Sequence, residues 1–171
     1  VDILVRIKRT VLAGRYAFSE KARIEMESDG LTEFDVAEAI INAVAIFKRL
    51  RSRSRHRSRR TEYLYVIQST NLEGVMVYSK GKLVREQGED HFYFLVSAKE
   101  RYEDEYEKRE TLHFHLSILR STAIRRVKGN WSGNFKGKKY TVPALEYYAC
   151  PNCQEKIYPP AAMRRIQERS P

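Results

Sequence analysis

Several features that would place this chain in a common functional class are scarce or missing. It has two cysteines in 171 residues, too few for a fold held together by a disulfide framework. No apolar run approaches the roughly 18 residues of a membrane-spanning helix. The first residues lack the charged-then-apolar pattern of a signal segment. We therefore expect a cytoplasmic protein without membrane contact.

Catalytic loops with a recognisable pattern are also missing. The sequence contains neither a glycine-rich phosphate-binding loop nor a nucleophile elbow. Acidic residues are outnumbered, with 22 Asp and Glu against 32 Lys and Arg, for a formal net charge of +10. A basic excess of this size favours a polyanionic partner, and nucleic acid is the first candidate.

The first 47 residues have the apolar spacing of three amphipathic helices. Ser19 is placed to cap the second helix, which Gly30 ends. Thr32 and Asp35 have capping-box spacing at the start of the third. The buried stripe of that third helix is predicted to consist of four apolar residues: Val36, Ile40, Val44 and Phe47.

Alternating apolar and polar residues then predict strands at residues 63–67, 75–79 and 91–98. Helices followed by a meandering antiparallel sheet indicate the α+β class. Between the two parts, eight of the 13 residues in 48–60 are Lys or Arg. We expect a solvated loop that clamps RNA phosphates, with a purely solubilising loop as the alternative. The proposed nucleic-acid contacts are Arg51, Arg53, Arg55, Arg57, Arg59 and Lys80.

Two stretches resemble known bacterial families. Residues 16–99, including TEYLYVIQST, VYSKGKLV and FYFLVSAK, resemble the MqsR and RelE toxins. This implies helices on a short antiparallel sheet and an mRNA-cleaving activity that needs no metal. Residues 121–165, including YYACPNCQEKIY, resemble the YgiT-type zinc-finger antitoxins, like the N-terminal part of MqsA.

Together the resemblances imply a toxin fused to its own antitoxin. The expected order is a toxin-like ribonuclease domain (1–100), an acidic polar linker (101–110) and an antitoxin-like domain (111–171). The last domain would be β-rich and zinc-ribbon-like, with a C-terminal helix too short for a helix-turn-helix that binds DNA. The covalent tether would hold the toxin inactive. The alternative is a non-enzymatic, basic nucleic-acid-binding module.

Ribonuclease chemistry without a metal needs a proton acceptor, a proton donor and a cation on the phosphate. The toxin resemblance implies roles for Lys48, Gln68, Tyr78 and Lys99, with Lys99 on the phosphate and Tyr78 orienting or protonating. His91 is a further acid–base candidate because histidine titrates near neutral pH, and a surface histidine is the alternative.

The metal prediction rests on Cys150 and Cys153, whose C-x-x-C spacing suits two ligands of a tetrahedral zinc ion. The antitoxin family has a second such pair earlier in the chain, where this sequence has Leu116 and Leu119. His113 and His115 lie close by and could complete a Cys2His2 site. Because leucines occupy both ligand positions, we expect a metal-free or incompletely occupied site.

Overall fold

The computed structural model describes residues 2–52, 62–86, 89–101, 124–151 and 154–171. Four helices and eight strands lie in these parts of the chain. None of these helices combines the length and hydropathy needed to cross a bilayer. The elements in chain order are α1 (Ile3–Leu12), β1 (Tyr16–Ser19), α2 (Glu20–Asp29), α3 (Glu33–Asn42), β2 (Lys48–Arg51), β3 (Tyr63–Thr70), β4 (Met76–Glu86), β5 (Glu89–Glu100), β6 (Arg125–Phe135), β7 (Lys138–Ala149), β8 (Lys156–Tyr158) and α4 (Pro160–Arg169).

Local capping signals place the first helices as predicted. The Ser19 hydroxyl accepts the Ala22 N–H at the start of α2, and Gly30 ends that helix with φ of 70°. Thr32 and Asp35 form the predicted capping box of α3. The predicted end of α3 is wrong, because the helix stops at Asn42.

The early end of α3 moves two predicted core residues to the surface. Val44 is 97% exposed and Phe47 is 57% exposed. Since the chain is no longer helical there, the helical spacing that would have carried both onto the buried stripe does not apply. The chain instead approaches β3, where the Phe47 N–H donates to the Val66 carbonyl at 2.9 Å.

The α+β prediction is confirmed, but the sheet is mixed. Its strand order is β2-β3-β4-β5-β1-β8-β7-β6. The short strand β1 pairs with β5 in parallel and with β8 in antiparallel orientation. Strand β1 thus lies between the two halves of the sequence and joins their strands into one sheet.

A separate zinc-ribbon-like domain is therefore not found in the described residues, and that part of the fold prediction is wrong. The pairs Phe18↔Tyr158 and Ser19↔Ile157 attach β8 to the N-terminal half. Strands β7 and β6 extend the sheet from there. The physical reason is the free edge of β1, which can satisfy its backbone groups by adding another strand.

One hydrophobic core serves both halves. It lies between the helices and one face of the sheet, and a smaller apolar cluster lies elsewhere on the sheet. Buried members from the N-terminal half include Ile7, Phe18, Met26, Ile40 and Leu95, and those from the C-terminal half include Trp131, Leu145, Met163 and Ile166.

A buried polar network also ties α2 to the C-terminal strands. The guanidinium of Arg23, a residue only 6% exposed, donates to Glu20 and Glu27. Tyr158 donates to Glu20, and Tyr140 donates to Glu27. Burial raises the pKa of the Tyr158 phenol, so the hydroxyl stays protonated as this donor.

Candidate active site

Three of the predicted catalytic residues lie side by side in the sheet. Gln68 on β3 is directly opposite Tyr78 on β4, and Tyr78 is directly opposite Lys99 on β5. Residues that oppose one another in antiparallel strands share a face, about 4.8 Å apart from strand to strand. We call this set of three the cross-strand row.

The row lies on the face of the sheet that points away from the main core. Its chain neighbours Ile67, Ser79 and Ala98 also form a cross-strand set. All three are buried, and Ile67 and Ala98 belong to the main core. Since successive side chains on a strand alternate in direction, the row faces the other way. Its three residues are partly exposed.

The side chains of the row carry an ammonium ion close to a phenol ring. The Lys99 Nζ lies 5.9 Å from the centroid of the Tyr78 ring, which is within range of a cation–π contact. The third member, Gln68, accepts a hydrogen bond from the guanidinium of Arg101. The arrangement thus brings two cations, a hydroxyl and an amide together on one surface.

Helix α2 holds the edge of β5 at the row. Beyond the short strand β1, the Glu25 carboxylate accepts the Ala98 N–H at 3.1 Å and the Ser97 hydroxyl at 2.6 Å. The Asp29 carboxylate accepts the Glu100 N–H at 2.8 Å. These side chains satisfy strand-edge donors on both sides of Lys99, where a neighbouring strand would otherwise be required.

A bulge interrupts the β4–β5 pairing close to the row. The register shifts between Lys80 and Gly81. A Cβ at Gly81 would lie 2.6 Å from Cζ of the buried Tyr93 and 2.7 Å from the Phe94 carbonyl oxygen. Only glycine leaves room here for the tyrosine ring under β4.

Two further predicted residues share the face of the row. Lys48 on β2 opposes Val66 on β3, and Val66 opposes Lys80 on β4. Val66 and Lys80 are each two residues from a row member on the same strand, so Lys48 and Lys80 lie on the same face of the sheet as the row. Arg51 opposes Tyr63. Tyr63 is an odd number of residues from Val66 and Gln68 on β3, so Tyr63 and Arg51 project to the other face of the sheet. Arg53, Arg55, Arg57 and Arg59 lie outside the described residues.

The structure does not bring His91 to the row. His91 is exposed and precedes Lys99 by eight residues on β5, which corresponds to about 26 Å at roughly 3.3 Å per residue. A groove of about 390 Å³ lies near that distant end and is lined in part by Arg6, Arg15 and Asp90. This groove is thus remote from the cross-strand row.

The described residues do not assemble a zinc site. Cys150 is buried in the small apolar cluster together with Ala17, Phe94, Val96 and Ile157. The other three predicted ligands, Cys153, His113 and His115, lie outside the described residues. No group of three or more metal-binding side chains comes together in the described part of the chain. Because only one of the four predicted ligands is described, the zinc prediction stays a prediction, and no chemical step is assigned to a metal.

Two residues beside the row were missed by the sequence interpretation. Arg101 was assigned to the acidic linker, and Phe47 to the core. The guanidinium of Arg101 lies 5.7 Å from the Phe47 ring centroid. The signal for Arg101 was its position two residues after Lys99, which continues the same face of the strand. The exposure of Phe47 depends on where α3 ends, for which the sequence has no glycine or proline signal.

No protein-family model matches the chain, and comparisons with curated proteins and with solved structures find no similar protein. The resemblance to toxins and antitoxins therefore stays a prediction. The function is inferred from the arrangement of the side chains.

Proposed function

We propose that this protein is a metal-independent endoribonuclease of the mRNA-interferase type, with the cross-strand row as its active site. The observation that carries the proposal is the pairing Gln68↔Tyr78↔Lys99 on one face of the sheet. Three residues for which the toxin resemblance implies catalytic roles are adjacent in space, although 31 positions separate the first from the last.

The row suits RNA cleavage by the neighbouring hydroxyl. In this reaction the 2′-oxygen attacks phosphorus and the bond to the 5′-oxygen breaks, leaving a 2′,3′-cyclic phosphate and a 5′-hydroxyl. The Lys99 ammonium ion would stabilise the added negative charge on the phosphate oxygens. The Tyr78 hydroxyl would donate a proton to the departing 5′-oxygen. Gln68, held by Arg101, would position the phosphate.

No side chain of the row can remove the proton from the 2′-hydroxyl, so the solvent must accept it. An amide, a phenol and an ammonium ion are not bases at neutral pH. Hydroxide would therefore remove the 2′-hydroxyl proton, and the cleavage rate should rise with pH through the neutral range. A cleavage rate that does not rise with pH through the neutral range would contradict this assignment.

The proposal includes neutralisation by the antitoxin-like residues 111–171. The described contacts of this part include those with β1, α2 and α3. Its effect on the row would be exerted through β1 and α2, which hold the edge of β5. The shared sheet and core support such control because they keep the two parts in contact. Loosening the network with Tyr158→Phe should then increase cleavage.

The competing function is a non-enzymatic RNA-binding module, which the net charge of +10 favours. The test uses the full-length chain, because β1 lies between strands of both halves. A labelled RNA is incubated in EDTA with excess protein that carries Tyr158→Phe to loosen the neutralising contact, and the single-turnover rate is measured. We expect Lys99→Ala to slow cleavage by about 10²–10³-fold, as removal of one group that stabilises transition-state charge does in other enzymes.

The matched control is Lys139→Ala, which removes an exposed lysine from β7. The two variants have the same charge, so a difference between them reports the position of Lys99 and not the net charge. Equal rates in both variants would contradict the proposal. RNA binding without cleavage by the wild type and by Tyr158→Phe would favour the binding module.

A further inference from the structure

An exposed aromatic ring extends the cross-strand row at its Gln68 side. Phe47 is a large apolar side chain that is 57% exposed. Its ring lies 5.7 Å from the Arg101 guanidinium, and that guanidinium donates to Gln68. The ring, the guanidinium and the amide thus form one continuous strip that ends in the row.

We propose that Phe47 stacks on an unpaired base of the substrate, which makes single-stranded RNA the substrate class of this site. The inference rests on the proposed function, because it places the base next to the phosphate held by Lys99. Every base has an apolar face, so stacking on a phenylalanine ring requires no particular sequence.

The charges around the ring fit a phosphate backbone. Lys48 follows Phe47 in the chain and is exposed, and it shares the sheet face of the row. Lys99 and Arg101 add positive charge on the other side of Gln68. An aromatic platform flanked by cations is the arrangement by which proteins hold single strands, with bases on the rings and phosphates on the cations.

A duplex does not fit this arrangement. Its bases are stacked on one another and paired, so their faces are covered except at the ends. A base can reach the Phe47 ring only when the strand is locally unpaired. Recognition by Phe47 therefore selects loops and single strands over helices.

The chain contains a closely matched control for this test. Phe34 on α3 is 55% exposed, and the Arg164 guanidinium lies 5.5 Å from its ring. Phe34 thus has nearly the same exposure and the same kind of cationic neighbour as Phe47. It differs in location, since its cationic neighbour Arg164 lies on α4 and donates to Glu33 on α3.

The experiment measures binding of the full-length protein to a fluorescent ten-residue oligouridine whose 2′-oxygens are methylated, so that it cannot be cleaved. A blunt RNA duplex of the same length is measured at the same salt concentration, because phosphate contacts depend on salt. Stacking of one base contributes about 1–3 kcal/mol. We therefore expect Phe47→Leu to weaken single-strand binding by roughly 5- to 140-fold.

The same substitution should leave duplex binding unchanged, and Phe34→Leu should change neither. Phe47→Trp should keep or strengthen single-strand binding, which separates the loss of a stacking ring from misfolding. Equal effects of Phe47→Leu and Phe34→Leu, or an equal loss for the duplex, would overturn the inference. The binding experiment does not depend on catalysis, because its RNA cannot be cleaved. A failure of the proposed function would be detected separately, as an unchanged rate of cleavage of ordinary RNA by Lys99→Ala.

Discussion

Removal of the Arg23 guanidinium should destabilise the whole chain, because this group joins α2 to the C-terminal strands. It donates to Glu20 at 2.6 and 3.0 Å and to Glu27 at 2.9 Å. It also lies 4.9 Å from the ring centroid of Trp131. Burial acts to lower the Arg23 pKa, but the hydrogen bonds and charges of the two carboxylates raise it overall, so the group stays charged.

The magnitude follows from what Arg23→Ala leaves behind. The Glu27 side chain is only 10% exposed in this ion pair, and that of Glu20 is 31% exposed. Breaking a buried pair by removing one partner typically costs about 3–5 kcal/mol, because an uncompensated charge remains. With a urea dependence of roughly 2 kcal/mol per molar, the midpoint of unfolding should fall by about 2 M.

Urea titration of the full-length variants, followed by tryptophan fluorescence, checks this value, since Trp131 lies in the network. The control is Arg126→Ala, which breaks an ion pair with Glu146 on the exposed β6–β7 surface. That midpoint should not move measurably, because solvent screens exposed pairs. A midpoint for Arg23→Ala that matches this control would refute the reasoning.

Two further predictions concern single positions. Gly81→Ala should lower the free energy of unfolding by about 1–3 kcal/mol, because the new Cβ would displace the Tyr93 ring. Gly129→Ala is the control, since its new Cβ has no atom within 4 Å and should not clash. Urea titration of both variants measures the difference. Burial raises the pKa of Glu155, and its Oε1 is buried without a hydrogen-bond partner. The ionised carboxylate therefore costs folding free energy above its ordinary pKa, so Glu155→Gln should stabilise the protein at pH 7 and lose that advantage below pH 4. An equal gain at both pH values would contradict the titration of Glu155.

The parts of the fold set by local signals were predictable from the sequence. The caps at Ser19 and Thr32 and the glycine at position 30 act within one helical turn, so each is recognisable from neighbouring residues. The end of α3 has no such signal, and Phe47 was therefore placed in the core when it lies on the surface.

The long-range parts of the fold were not predictable in the same way. Strand β1 has four consecutive buried residues without alternation, and β8 has only three residues. Their pairing depends on which edges remain free after the helices have packed, and this is a property of the whole chain. The continuous sheet, and with it the loss of a separate second domain, follows from that pairing.

The candidate site was predictable in part, because it depends on both local signals and long-range strand pairing. The toxin resemblance implied roles for Gln68, Tyr78 and Lys99, and alternation placed each in a predicted strand or directly after one. Their adjacency depends on the register of β3, β4 and β5, which the turns and the bulge near Gly81 determine. His91 was chosen from its residue type alone, as an acid–base candidate, and its position eight residues before Lys99 on β5 places it far from the row.

The central claim is that the cross-strand row cleaves RNA through the 2′-hydroxyl. Mass spectrometry of the products formed by the full-length protein in EDTA tests it most directly. We predict fragments with a 2′,3′-cyclic phosphate and a 5′-hydroxyl, formed in larger amounts by Tyr158→Phe than by the wild type. Adding Lys99→Ala to Tyr158→Phe should strongly reduce them, and adding Lys139→Ala should not. Fragments with a 3′-hydroxyl and a 5′-phosphate, or cyclic phosphates formed equally by Lys99→Ala, would contradict it.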